Sequence, residues 1–308
     1  MRDLLKFLEL FIDMKCAYLF SGQPIFYEDV LSYNSNYQIS SNDKVCAHLW
    51  WDNSYHGKVY KFWFTDRYRE KNLDQKFIER YGVTDCLVEK HKNFNLTFSK
   101  KFNFEVWKNE SIEHYKVVTP IVLYSLLSQS YSNYQAFLQT QNDNTIDVVI
   151  RSRPDIILVN PLKQILSQIK LEEDTIYFQS SMGGGHLYAG EFPNRPCDWF
   201  FLGTPRSMEK YCHAWYNSVK DEQKNGLIHH YEYIHNICEK NKLNIGLVDF
   251  GAIIYKQATN WYEQYKIDPK FYINNFDYEN STPLETDLWP YWVENINFKH
   301  FANLEKVV

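Results

Sequence analysis

Apolar runs of strand length alternate with amphipathic stretches along most of the chain. Residues 15–20 are mostly apolar and end in Ser21-Gly22-Gln23-Pro24, which predicts a strand feeding a turn. A strand followed by a glycine turn near the amino end is the usual opening of a nucleotide-binding α/β domain. Residues 44–49 predict a second strand, running into Trp50-Trp51-Asp52. Residues 74–81 read as a helix and 86–89 as a strand, while 91–111, polar and aromatic without a clear period, read as a long loop. From Pro120 the positions Ile121, Leu123, Tyr124, Leu127, Tyr134, Phe137 and Leu138 fit an amphipathic helix through Gln139.

The clearest strand signal is 146–150, a β-branched run suited to burial on both faces of a sheet. It ends in Arg151-Ser152-Arg153-Pro154-Asp155 and continues into the apolar 156–158. Helices are expected over 161–169, 205–220 and 229–242, and strands over 175–179, 198–203 and, within 243–257, over 251–255. Alternating strands and helices argue for an α/β fold with a central mixed, mostly parallel sheet flanked by helices, Rossmann-like in character. The domain is expected to span 14–258. Residues 1–13 precede it as an amphipathic extension rather than a signal peptide, and 259–308, with Trp261, Trp289 and Trp292, follow as an aromatic tail packed on it.

Composition narrows the classes. The chain of 308 residues is 44% hydrophobic and 23% charged, which excludes collagen-like, low-complexity and disordered chains. Lys+Arg 33 against Asp+Glu 38 gives a net charge of −5, without the basic footprint of a dedicated nucleic-acid binder. Six cysteines lie far apart with no zinc spacing, and read as free thiols of a reducing compartment. Charged residues interrupt every apolar stretch, so no transmembrane segment is expected and the cytoplasm (a host cytoplasm if the chain is viral) is the expected location. Aromatics reach 18%, which suits stacking on bases or sugars but also follows from AT-rich codon usage.

The chemistry concentrates after the 146–150 strand. Ligands of open α/β sheets bind at the carboxyl ends of strands, where this chain sets two guanidiniums and a carboxylate. In an extended backbone Arg151, Arg153 and Asp155 share one side and Ser152 faces the other. Two arginines suit bidentate recognition of a diphosphate, and a neighbouring carboxylate suits Mg²⁺ or Mn²⁺ on the same phosphates. The alternative is an Arg–Asp ion pair that closes the strand end. Asp198 is a candidate general base beside Trp199, whose face can stack on a sugar, or else a capping or turn residue. Glu232, after His229-His230 at a helix start, is a second candidate base or a carboxylate placed there by the helix dipole. His48, Trp50 and Trp51 line a pocket or belong to the core. Gly183, Gly184 and Gly185 allow close approach of a ligand or make an ordinary turn.

The segment from Ile146 to Asp155 closely resembles the "YDVVIRxRPD" stretch of glycosyltransferase-like proteins of bacterial surface-polysaccharide clusters and large DNA viruses. Others follow in the same order. Residues 14–23 resemble the opening strand and "SGQ" turn, His48-Leu49-Trp50-Trp51-Asp52 the "HTWWD" segment, Tyr124-Ser125 the "YS" that starts a helix, and 198–204 the "DWFxxGT" segment, with Met208 and Tyr211 its continuation. The resemblance covers residues 14–257 and implies a GT-A-like enzyme with a nucleotide-sugar donor and a glycan or lipid-linked acceptor. It implies that Ser21, Gly22, Gln23, His48, Trp50, Tyr124, Arg151 and Arg153 line the nucleotide-sugar site. Asp155 would stand where related enzymes place the metal-binding Asp-x-Asp, Mn²⁺ or Mg²⁺ being the ion. With arginine at position 153 no Asp-x-Asp forms, and a guanidinium can take part of the cation's role. Ile25 and Ser128-Gln129 stand where the family often carries an arginine and a lysine. That loss of positive charge is the ground for an alternative expectation, a non-catalytic sugar-binding or scaffolding protein on the same fold.

Overall fold

The computed structural model describes residues 14–24, 35–53, 71–90, 120–158, 160–180, 196–221, 230–248 and 250–254, without the side chains of 120–127, 219–221, 230–233 and 253–254. The expected extension 1–13, Ile25, the loop 91–111, the glycines 183–185, the tail 259–308 and the side chains of Tyr124 and Glu232 lie outside the described residues.

Strands β1 (Cys16–Gly22), β2 (Lys44–Trp50), β3 (Asp85–Glu89) and β4 (Val148–Ser152) are followed by β5 (Ile156–Leu158), β6 (Thr175–Ser180), β7 (Pro196–Gly203), β8 (Asn244–Val248) and β9 (Ala252–Ile254). Between them run helices α1 (Leu73–Tyr81), α2 (Pro120–Leu138), α3 (Leu162–Leu166), α4 (Pro205–Asp221) and α5 (His230–Lys240). The main sheet has the order β3-β2-β1-β4-β7-β6-β8, and β5 pairs with β9 in a second, two-stranded sheet. Neighbours in the main sheet are parallel except where β7 meets β4 and β6. The chain is therefore α/β, with the mixed, mostly parallel sheet the sequence predicts.

Period-two alternation divides the apolar residues between two layers. Tyr18, Phe20, Val45, Leu49 and Ile150 face α1 and α3 through Leu73, Phe77, Leu162 and Leu166. Ala17, Leu19, Cys46 and Val149 face α2, α4 and α5 through Phe137, Tyr211, Trp215 and Ile237. Burial on both sides explains why β1 and β4 read as continuous apolar runs. At the amino ends of the strands, Asp43 accepts hydrogen bonds from Cys16 N (2.9 Å), Ser40 N (2.8 Å) and Ser40 Oγ (2.8 Å), and pairs with Lys163 at 3.2 Å. Burial alone would raise its pKa, but these donors outweigh it and hold the carboxyl below its ordinary value.

Several boundaries differ from the sequence pattern. Strand β4 begins at Val148 rather than Ile146: just before it, Asp147 is tied to Lys15 by its side chain, which accepts the Lys15 amide (2.9 Å), and by its own amide, which donates to Lys15 O (2.9 Å). It ends at Ser152, since Arg151 still pairs with Leu19 and with Phe201. The region 243–257 holds two strands rather than one. The Gln179 carboxamide oxygen captures the amides of Phe250 and Ala252, both at 3.0 Å, and the chain there leaves β6 to pair with β5.

Candidate functional site

The chain leaves β1 toward β2 on one side, and β4 joins β1 on the other. This is a topological switch point, where loops diverge and open α/β sheets leave a crevice outside the carboxyl ends of the strands. Strand β1 ends there at Gly22, whose φ of +127° is a conformation that residues with a side chain rarely adopt. A Cβ on Gly22 would lie 3.9 Å from Pro154 Cδ, so the first turn and the Arg153-Pro154-Asp155 turn stand side by side. Antiparallel β7 starts at this same edge, because Arg151 pairs with Phe201 and the earlier residues of β7 run past the end of β4. Asp198 is thereby brought to the carboxyl-end edge of the sheet, half-buried.

Arg153 and Asp155 face each other across a turn closed by Ile156 N donating to Arg153 O at 3.3 Å. Arg153 Nε donates to Asp155 Oδ1 (2.8 Å) and Nη2 to Oδ2 (2.7 Å), a two-pronged ion pair. The Asp155 side chain is 4% exposed and that of Arg153 34%. Desolvation opposes the charge on Arg153, but attraction and hydrogen bonding to Asp155, with further attraction to Asp198, raise its pKa above the ordinary guanidinium value. From the other face of the sheet Tyr37, fully buried, brackets the turn: its hydroxyl shares a hydrogen bond with Ser152 Oγ (2.7 Å) and reaches Ile156 O at 3.4 Å.

Arg151 takes a different path. It is 1% exposed and lies in the layer between the sheet and α2. Its Nε donates to Asn133 Oδ1 (2.7 Å) and Ser21 Oγ (3.0 Å), its Nη1 donates to the Asp198 carbonyl, and the Phe201 ring lies 5.5 Å away. Burial lowers its pKa to about 10, against the pull of Asp198, so it remains charged at neutral pH. Arg151 and Arg153 act on each other electrostatically and both lie in the field of Asp198, but their hydrogen bonds differ. Arg151 is still in the strand and points under the helix, whereas the backbone turns at 153–155 and sets Arg153 against Asp155.

Ser21 joins Arg151 in that layer: its hydroxyl donates to Asn133 Oδ1 (2.5 Å) and is 1% exposed as a residue. Its register partner on β2 is His48, fully buried, with Nδ1 2.8 Å from Ser132 Oγ and Nε2 3.0 Å from Glu89 Oε2. Ser132, His48 and Glu89 have the partner types of a catalytic relay, but Ser132 is itself 1% exposed, so its hydroxyl cannot meet a substrate. Trp50 stacks on Tyr131 at 5.5 Å, beside His48 at 4.7 Å. The structure therefore gathers Ser21, His48, Trp50 and Arg151 beneath α2, and sets Gly22, half-buried Gln23, Arg153, Asp155 and Asp198 at the carboxyl ends of β1 and β4. Trp199, expected as a face for a sugar, is 4% exposed and donates its indole N–H to Ala252 O at 3.3 Å.

Sequence reasoning missed Asn133 and Tyr37, and noted Gln129 only as standing where the family often carries a lysine. Gln129 Nε2 donates to Asp198 Oδ2 (2.9 Å) and O (3.2 Å), and orients that carboxylate from α2. The signal was available as Ser128-Gln129-Ser130 and Ser132-Asn133 inside a helix. These are mostly poor helix formers, retained where side chains find buried partners. Asn133 Nδ2 is buried without a hydrogen-bond partner among the described residues. As for the expected divalent cation, both oxygens of Asp155 are held by Arg153, and among the described residues no three or more His, Cys, Asp or Glu side chains group to hold a metal ion. As placed, these residues do not fit a metal centre. Among the described residues, no helix is long and apolar enough to cross a membrane, and all six cysteines are free.

No protein-family model matches the chain and no curated protein matches it. Among solved structures it is similar to the galactosyltransferase LgtC in complex with donor and acceptor sugar analogs, at 8% identity over 76% of this chain and 73% of that one, with a TM-score of 0.38. It is also similar to an active-site mutant of LgtC, at 7% identity over 76% of this chain and 72% of that one, with a TM-score of 0.35.

Proposed function

We propose that the protein is a nucleotide-sugar-dependent glycosyltransferase of GT-A-like architecture, acting on a glycan or lipid-linked acceptor in surface-glycan synthesis. The observation that carries this reading is the meeting of three strand ends at one switch point: the Gly22 turn, the Arg153–Asp155 turn and Asp198. The glycine turn lets a diphosphate approach the backbone, and the outward edge of Arg153 offers charge to it. In the reaction the bond from the anomeric carbon to the β-phosphate oxygen breaks and a bond to the acceptor oxygen forms. The acceptor proton passes to a carboxylate, for which Asp198, held by Gln129, is the first candidate and Glu232 the second. Negative charge that develops on the leaving diphosphate is met by Arg153. Free thiols agree with a reducing compartment such as the cytoplasm.

A second reading, a sugar-binding protein without catalysis, is favoured by one observation: Arg151 and Ser21 are engaged internally and offer a ligand nothing directly. A thermal-shift panel of UDP, GDP, CMP and dTDP separates the two. A ligand bound only by the native state raises the melting temperature by mass action. A shift with one nucleotide, together with hydrolysis of its sugar conjugate, is the expected result. A flat panel at millimolar ligand overturns the transferase reading in favour of glycan binding.

A further inference from the structure

We propose that Arg153 is the resident cation of this site, and that it holds a nucleoside diphosphate without a divalent metal ion. The inference rests on the transferase reading above and deepens it. Three observations converge. Arg153 closes on Asp155 with two parallel hydrogen bonds at 2.8 and 2.7 Å, so both oxygens that a metal would need already face a positive charge. Asp155 is 4% exposed, so the carboxylate has no open side from which an ion in solvent can ligate it while the pair stands. Asp198 attracts the same guanidinium, which therefore lies in the field of two carboxylates, as a bound cation would.

The guanidinium also keeps the capacity to serve a ligand. It has five N–H donors in a fixed fork. The hydrogen bonds to Asp155 commit Nε and one on Nη2, and 34% of the side chain remains exposed. The pair thus fixes the fork by its inner edge and leaves the outer N–H groups of the partly exposed side chain for a ligand, in the turn whose Pro154 neighbours Gly22. A divalent ion bridging carboxylate and phosphate has the same geometry of roles, with the carboxylate behind and the anion in front. A preformed guanidinium does this without a metal to recruit. Removing it should leave Asp155 and Asp198 without the charge that both attract, a vacancy that a divalent ion can fill.

The test uses the full chain and the nucleotide that gives the largest shift in the panel of UDP, GDP, CMP and dTDP. Its affinity is measured by calorimetry in EDTA and in Mn²⁺, for the wild type and for Arg153→Ala. The wild type should bind equally well in both buffers. Arg153→Ala should bind at least about tenfold more weakly in EDTA, as expected for a lost charge-assisted contact, and recover when Mn²⁺ is added. Arg153→Lys, which keeps charge but loses the fork, should fall between. If the wild type binds only with Mn²⁺, or Mn²⁺ does not rescue Arg153→Ala, the inference is overturned while the transferase reading stands. If no nucleotide binds the wild type in either buffer, the transferase reading fails and the inference with it. Should Arg153→Ala not fold, the wild-type comparison of EDTA with Mn²⁺ still decides.

Discussion

Arg151 and Arg153 lie two residues apart in one motif and both feel the charge of Asp198, yet their hydrogen-bond partners are entirely different. Arg151 is held by neutral oxygens from three separate elements: Ser21 of β1, Asn133 of α2 and the Asp198 carbonyl of β7. Arg153 is held by one carboxylate two residues further on. Burial lowers the pKa of the first to about 10, whereas the second is raised by its partner carboxylate despite desolvation. The difference separates two roles for one residue type. A charge wired to distant elements fixes how they pack, and no ligand can take it without opening the sheet–helix layer. A charge paired locally at a crevice can share itself with a ligand and leave the fold standing.

Stability should break along the same line. Arg151→Ala removes the donor that joins β1, α2 and β7 and leaves their oxygens buried, which should cost about 3–5 kcal/mol in denaturant titration. Arg151→Lys should recover only part of this, because an ammonium cannot reproduce the Nε geometry. Arg153→Ala should cost less, about 1–2 kcal/mol, since water can reach Asp155 through the gap it leaves. A larger loss in Arg153→Ala than in Arg151→Ala would break the comparison. Next in size is a purely chemical effect at the crevice. Asp198→Asn keeps an oxygen to accept from Gln129, so melting should change little, while sugar transfer falls by about 10²–10⁴ as for loss of a general base. Unchanged transfer would return Asp198 to a structural role and leave Glu232 as the base to test.

The alternation of strands and helices was legible because the sheet is buried on both faces, which writes β1, β4 and β7 as apolar runs. The location of the site was legible for a related reason: glycine at the end of β1 and charge at the end of β4 mark strand ends. What periodicity could not reveal is where β4 stops. Its apolar pattern ends at Ile150, but the ladder continues to Ser152, and that two-residue extension sends Arg151 under α2 instead of into the crevice. The antiparallel course of β7 was equally hidden, and with it the reason that Asp198 reaches this edge. The polar row beneath α2 escaped because its members come from far apart in sequence: Arg151 meets Ser21 across 130 residues and His48 meets Ser132 across 84.

That row supplies the next prediction. Asn133 accepts from both Arg151 and Ser21, so Asn133→Ala strands the Ser21 hydroxyl, takes one of two acceptors from Arg151 Nε, and should cost about 1–3 kcal/mol. The effect should be smaller than that of Arg151→Ala, because the guanidinium keeps Ser21 Oγ and the Asp198 carbonyl. A double-mutant cycle of the two should show strong non-additivity, whereas a cycle of Asn133→Ala with Arg153→Ala should be nearly additive. Additivity in the first cycle would mean that the buried hub is not one network.

The smallest effect lies at the opposite end of the sheet, where Asp43 ties the amino ends of β1 and β2 to α3. Its folded pKa is lowered, because the donated hydrogen bonds outweigh burial. A carboxyl of this kind contributes stability that is complete above its unfolded value of about 3.9 and is lost as pH falls through the folded value. The urea midpoint should therefore fall below about pH 4. Asp143 and Asp174, also lowered through Lys15 and Lys210, contribute in the same direction. Asp43→Asn isolates the share of Asp43: it keeps an oxygen for the Cys16 amide but cannot titrate, so its midpoint should be lower at neutral pH and decline less steeply on acidification. Parallel curves for the two proteins would show that the acid sensitivity arises elsewhere. In that case Asp43 holds the strand ends by its shape and hydrogen bonds alone, as Ser21 and Asn133 do at the other end of the sheet.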